Sequence, residues 1–139
     1  MGPNDAQIVR VFSREPTAPI ADCTLDPTKP GEVVLEAEAG QILHDGGGKY
    51  WVTLVVRDLS DGSAIPATTA GAPQPGEVAG NFSDGNWPKP AAQFRFVISS
   101  ADLQNHAGHI LQAYGSVVYG QQYPGATLAV SPPFQILRR

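Results

Sequence analysis

Cysteine is almost missing from this chain: Cys23 stands alone among 139 residues, so no internal disulfide can form. The fold must therefore rest on its core, which a chain of this length can bury. A lone thiol with no neighbour placed to stabilise a thiolate is expected to be inert, partly buried and in keeping with a reducing compartment. Charge is scarce too. Charged residues make up 16% of the chain, and the net charge of −4 argues against a nucleic-acid binder, which would show a basic face. No run approaches the ~20 apolar residues of a membrane-spanning helix. Residues 1–10 hold no apolar leader segment, from which a cytoplasmic location is expected. Methionine occurs only as Met1 and Cys23 lies early, which excludes a blue-copper site, whose Cys, His and Met ligands cluster.

Glycine and proline, by contrast, are abundant, at 15 and 13 residues. Both break helices, and proline is tolerated in sheets only at edges and strand ends, so short strands are expected throughout. Residues 1–6 read as a flexible arm, and 7–139 as a single domain. Strands are expected at 8–12 and 20–25. The second, flanked by prolines, suits an edge or a strand that switches sheets. Residues 32–40 alternate Val33, Leu35, Ala37 and Ala39 against Glu32, Val34, Glu36 and Glu38, a half-buried strand with a solvated outer face. Asp45-Gly46-Gly47-Gly48 turns the chain into Lys49–Asp58, dense in β-branched and aromatic residues and the strongest strand of all. Residues 63–91 form a long Pro/Gly-rich excursion with two short edge strands, near 63–65 and 77–81. After a strand at 92–99 comes a Ser-capped helical turn at 100–103. A strand at 109–119 follows with Gly115 as a candidate bulge, and then a last strand bent at Pro132-Pro133. With about seven to nine strands and one short helical turn, the pattern is an all-β Greek-key sandwich.

Three places resemble an immunoglobulin-like domain. Trp51, early in a central strand, looks like the third-strand tryptophan. Residues 103–110 (LQNHAGHI) resemble the turn into a sixth strand, and 131–136 (SPPFQI) look like a bent last strand. The resemblance implies an immunoglobulin-like Greek-key sandwich, here without the paired strand cysteines and with Ile110 where a corner tyrosine is usual.

Few chemistries find their residues. His106 and His109 lie three apart at a corner and His44 adjoins Asp45, but solvated loop histidines are the expectation, and no metal or other cofactor is assigned. The Asp-rich turns at 58–62, 81–86 and 45–46 offer oxygens without the twelve-residue EF-hand spacing. No paired glycosidase carboxylates, nucleophile elbow or dinucleotide fingerprint can be assigned. Gly46-Gly47-Gly48-Lys49 leads into a strand, so no helix N-terminus awaits a phosphate. The sequon Asn81-Phe82-Ser83 is taken as chance.

One surface stands out. If Tyr50, Val52, Leu54 and Val56 face the core, then Trp51, Val55, Tyr114 and Val118 form an exposed apolar patch suited to a protein partner or to self-association. The opposite parity, with Trp51 in the core and Tyr50 outside, stays open. The leading expectation is a non-catalytic binding or assembly module, a possible homo-oligomer, that uses this sheet face or the 63–91 loop, with no nucleic acid or membrane as partner. A second is a carbohydrate-binding module using Trp87, Asn86, Asp84 and Tyr123. A third is a small enzyme or enzyme accessory domain, for which His106, His109 and Asp102 are the residues to test first.

Overall fold

The computed structural model describes residues 5–15, 20–69, 76–88, 91–120 and 124–138. Within them the chain is an all-β sandwich of two sheets. The smaller sheet has β3 (Gly31–Ala39) at its centre, antiparallel to β1 (Ala6–Arg14) on one side and β7 (Ala91–Ile98) on the other. The larger sheet is built on the antiparallel pair β4 (Lys49–Asp58) and β8 (Ile110–Tyr119). On the far side of β4 lie β5 (Ala64–Ile65) and β6 (Glu77–Asn81); on the far side of β8 lie β9 (Gly125–Val130) and β10 (Phe134–Ile136). A two-residue strand, β2 (Thr24–Leu25), closes the edge by pairing parallel to β10. The first strands thus do change sheets at the proline-flanked segment. The described strands number ten, two of them only two residues long.

Strict alternation in β4 produces the core. Tyr50, Val52, Leu54 and Val56 are buried, and Lys49, Trp51, Thr53, Val55 and Arg57 are exposed. Facing them across the sandwich are Val33 and Leu35 of β3 and Phe94, Phe96 and Ile98 of β7. The sheets meet most tightly at Gly115. A Cβ there would lie 2.6 Å from Leu35 Cδ1 and 3.2 Å from Val11 Cγ2. Pairing through Gly115 is unbroken, so this glycine serves close approach of the sheets and is no bulge. The bulge lies in β1, between Ile8 and Arg10.

Local expectations needed correction in three places. Residues 41–46 are not simply part of a turn but form α1 (Gln41–Gly46), anchored by buried Leu43. A second short helix, α2 (Ser100–Asn105), occupies the expected helical turn, capped by Ser99. The outer face of β3 is solvated only at its far end. Val34 is wholly buried between Phe12 and Arg95, and Glu32 is buried against Arg14 at 2.6 Å. Long neighbours produce this cover: Arg10 bonds Glu36 at 2.9 Å while lying over the Phe12 ring. Finally, Cys23 is exposed rather than partly buried.

One end of the sandwich is closed by aromatic rings. Tyr50, Phe82, Trp87 and Phe94 pack with centroids 5.0 to 6.0 Å apart, in tilted and edge-on pairs. His44 of α1 joins them, its Nε2 lying 2.6 Å from the Trp87 carbonyl oxygen. The Tyr50 hydroxyl is buried without a hydrogen-bond partner among the described residues. Burial, and secondarily the charge of Asp84, push its pKa up to about 12. The two tryptophans therefore predict opposite behaviour. Trp87→Ala removes a fully packed ring and is expected to cost about 3–5 kcal/mol in chemical denaturation. Trp51→Ala, on the solvent face, should cost no more than about 1 kcal/mol.

Candidate functional site

The structure resolves the parity of β4 in favour of an outward Trp51. Register then assembles a surface. One row across the larger sheet runs Ala126, Val118, Trp51, Ala79; the next runs Leu128, Ser116, Thr53, Glu77; the third runs Val130, Tyr114, Val55. Trp51, Val55, Tyr114 and Val118 sit as two directly opposed cross-strand pairs, Trp51 with Val118 and Val55 with Tyr114. Each is 37 to 47% exposed. Sequence reasoning missed the β9 contribution, in which Leu128 is 80% exposed and Val130 53%. The alternation of Ala126, Leu128 and Val130 with Thr127 and Ala129 carried that signal. Glu77 is the one charged side chain within these rows. With strands ~4.8 Å apart and ~3.3 Å per residue, the rows cover about 300–400 Å². A patch of that size matches the largest patch of a typical soluble monomer, about 300–600 Å², which is often functional.

Of the residues of the carbohydrate reading, Trp87 is not presented to a ligand. Trp87 is 1% exposed, so its ring serves the core. Asp84 accepts from the backbone N–H groups of Asn81 and Asn86 and thereby shapes its own turn. Asn86 is exposed beside it, and Tyr123 lies outside the described residues.

A second constellation lies at the opposite end of β4. Asp58 continues the inward parity of that strand and is wholly buried. Its Oδ1 accepts from the N–H groups of Ser60 and Asp61, at 2.7 and 3.1 Å, fixing the turn after the strand. Its Oδ2 lies 2.6 Å from Nδ1 of both His106 and His109. The Asp61 carboxylate stands 3.7 and 3.9 Å from the same two nitrogens. Burial opposes the Asp58 charge, yet the bonds from His109, His106, Ser60 and Asp61 outweigh it and hold the pKa at about 2, against 3.8. Asp102, grouped with these histidines on sequence grounds, is elsewhere: it exchanges bonds with Ser99 in the cap of α2. The histidines converge because the turn between α2 and β8 is tied down. Gly108 takes a φ of 82° and donates to the Ile136 carbonyl, and Ile136 in turn donates to that of His109. The signal that could have found Asp58 is its place on the inward register, where a carboxylate needs partners.

No protein-family model matches the sequence, and no curated protein matches it. Among solved structures the chain is similar to AggA, the major subunit of aggregative adherence fimbriae type I from Escherichia coli. That likeness has a TM-score of 0.53 at 9% identity, over 98% of this chain and 97% of AggA. It is also similar to a bacterial adhesin from Mobiluncus mulieris, with a TM-score of 0.48 at 7% identity, over 94% of this chain and 57% of the adhesin. A DUF4466 family protein from Parabacteroides merdae follows, with a TM-score of 0.44 at 14% identity, over 91% of this chain and 44% of that protein. At such identities the AggA likeness speaks for the fold alone, and those below a TM-score of 0.5 add no argument. The cytoplasmic location expected from the sequence is corrected here: AggA, whose fold this chain shares, is a fimbrial subunit, which points away from it.

The Asp58 hub makes acid stability testable. A carboxyl whose pKa is lowered on folding contributes stability that is complete above its unfolded pKa, near 4, and is lost as pH falls through its folded value, near 2. The contribution is on the order of 2 kcal/mol. Acid titration of Asp58→Asn, followed by circular dichroism, is expected to start from lower stability and to show a flatter loss between about pH 4 and 2 than the wild type. Superimposable acid limbs would contradict this role.

Proposed function

We propose that the chain is a non-catalytic binding or assembly module of the immunoglobulin-like type. It works outside the cytoplasm through the exposed face of its larger sheet, and its first partner is a second copy of itself. The observation that carries this reading is the run of opposed apolar pairs, Trp51 with Val118 and Val55 with Tyr114, continued by Leu128 and Val130. Aromatic residues flanked by aliphatic ones on a nearly uncharged surface have the composition of an interface core. A standard interface takes about 800 Å² from each partner. The apolar rows would fill the middle of such a footprint, with Arg57, Lys49 and Glu77 at its rim. Two such faces meeting across a two-fold axis form an isologous contact without needing any further pocket. AggA, which shares the fold, is the major subunit of a fimbria, and a role in assembly for this chain agrees with that. The sheet face is preferred to the 63–91 loop because its apolar pairs stand side by side on one exposed surface.

Sedimentation velocity over a wide concentration range is expected to show reversible self-association. Leu128→Asp or Val118→Asp should weaken it at least tenfold, about 1.4 kcal/mol. Because both positions are exposed, neither change should lower stability by much more than about 0.5 kcal/mol. A wild-type chain that stays monomeric at the highest concentration would overturn self-association, and so would association indifferent to both substitutions.

A further inference from the structure

We propose that Asp58, Asp61, His106 and His109 form a binding site for a zinc-type divalent cation, which would clip the turn after β4 to the turn before β8. Four potential ligand atoms, one from each residue, lie within 4.8 Å of one another. Four ligands at ~2.0–2.1 Å around a tetrahedral ion stand ~3.3 Å apart. The distances here bracket that edge: 2.6 Å from Asp58 Oδ2 to each histidine Nδ1, and 3.7 and 3.9 Å from Asp61 Oδ2 to the same atoms. Opening the first pair by about 0.7 Å and closing the second by about 0.5 Å asks only for small side-chain rotations.

The supporting shell is already in place. Asp58 is buried and its other oxygen is held by two backbone N–H groups, which orients Oδ2 without further ordering. Each imidazole stands on a turn tied by backbone bonds: His106 N–H to the Leu103 carbonyl and His109 N–H to that of His106. The site is reachable, since the side chains of His106, His109 and Asp61 are 17, 33 and 43% exposed. Charge balances as well, two carboxylates against a divalent ion. Metal entry requires each imidazole to carry its proton on Nε2 and turn the Nδ1 lone pair to the ion. Two nitrogens and two oxygens favour zinc and its first-row neighbours over calcium or magnesium, which take oxygen shells. The clip joins positions 48 and 51 residues apart, in a chain that has no disulfide to do so.

Chelator-treated, tag-free protein titrated with zinc chloride in a calorimeter is expected to bind one equivalent. At a hundredfold excess over Kd, zinc should raise Tm by roughly 5–10 °C, and calcium should leave it unchanged. Cobalt should bind with the intense visible bands of tetrahedral coordination. The double variant His106→Gln/His109→Gln, whose fold is checked by circular dichroism, should lose all three responses. Asp61→Asn should weaken binding, and Asp102→Asn, outside the cluster, should not. The absence of stoichiometric binding would overturn the site. So would binding retained by the double histidine variant, or stabilisation by calcium equal to that by zinc.

Discussion

Nine consecutive residue pairs join β4 to β8, from Tyr50 against Tyr119 to Asp58 against Leu111, and the parity of this ladder decides what every other element meets. In an antiparallel pair the side-chain period is two, so a single choice of register sends a whole set of residues to the core and the intervening set to solvent. With Tyr50 inward, the core gains an aromatic to pack beneath Phe82 and Trp87, and Trp51 is left outside. The smaller sheet accepts this arrangement because Gly115 lets Leu35 approach the backbone of β8.

The same ladder has ends of different character. At Tyr50 the sandwich is closed by interlocked rings, held by dispersion and the exclusion of water. At Asp58 it is closed by a directional polar cluster in which one carboxylate serves two imidazoles and two backbone donors. The first closure tolerates substitution by size. The second is sensitive to any substitution that removes an acceptor, because the Asp58 carboxylate is what the two imidazoles and the two turn N–H groups share. Between them lies the flat apolar face, which neither end needs for its own packing.

Much of this was legible in the sequence, and what was not has a common cause. The alternation of β4, the sheet switch of the first strands, the edge strands of the 63–91 segment and the bend at Pro132-Pro133 are local signals, and they emerged as read. The choice between Tyr50 and Trp51 was undecidable because both parities of β4 carry apolar residues. It is settled by Trp87, whose loop position between Asn86 and Pro88 suggested a surface ring, while the ring it packs against edge-on, Tyr50, lies 37 residues away. α1 escaped because Gly40 supplies no side-chain cap. The spacing of His106 and His109 was visible, but their meeting with Asp58 depends on the β4–β8 register, which no single segment encodes.

The junction between β9 and β10 bears on how far the exposed face can vary. Ser131 is buried, donating its N–H to the Ala113 carbonyl while its Oγ accepts the N–H of Ala113. The two prolines that follow have no N–H to offer, so the strand cannot slide forward and remake these bonds elsewhere. Ser131 thus acts as a ratchet stop for β9. An insertion or deletion of one residue between Gly125 and Val130 would not merely shift the strand. It would reverse the parity of the residues before it, so that a change after Leu128 turns Leu128 and Ala126 inward and Thr127 outward, while Val130, next to Ser131, keeps its place. The length of this six-residue strand is therefore as much a determinant of surface chemistry as its composition, and tolerated length changes should fall outside it.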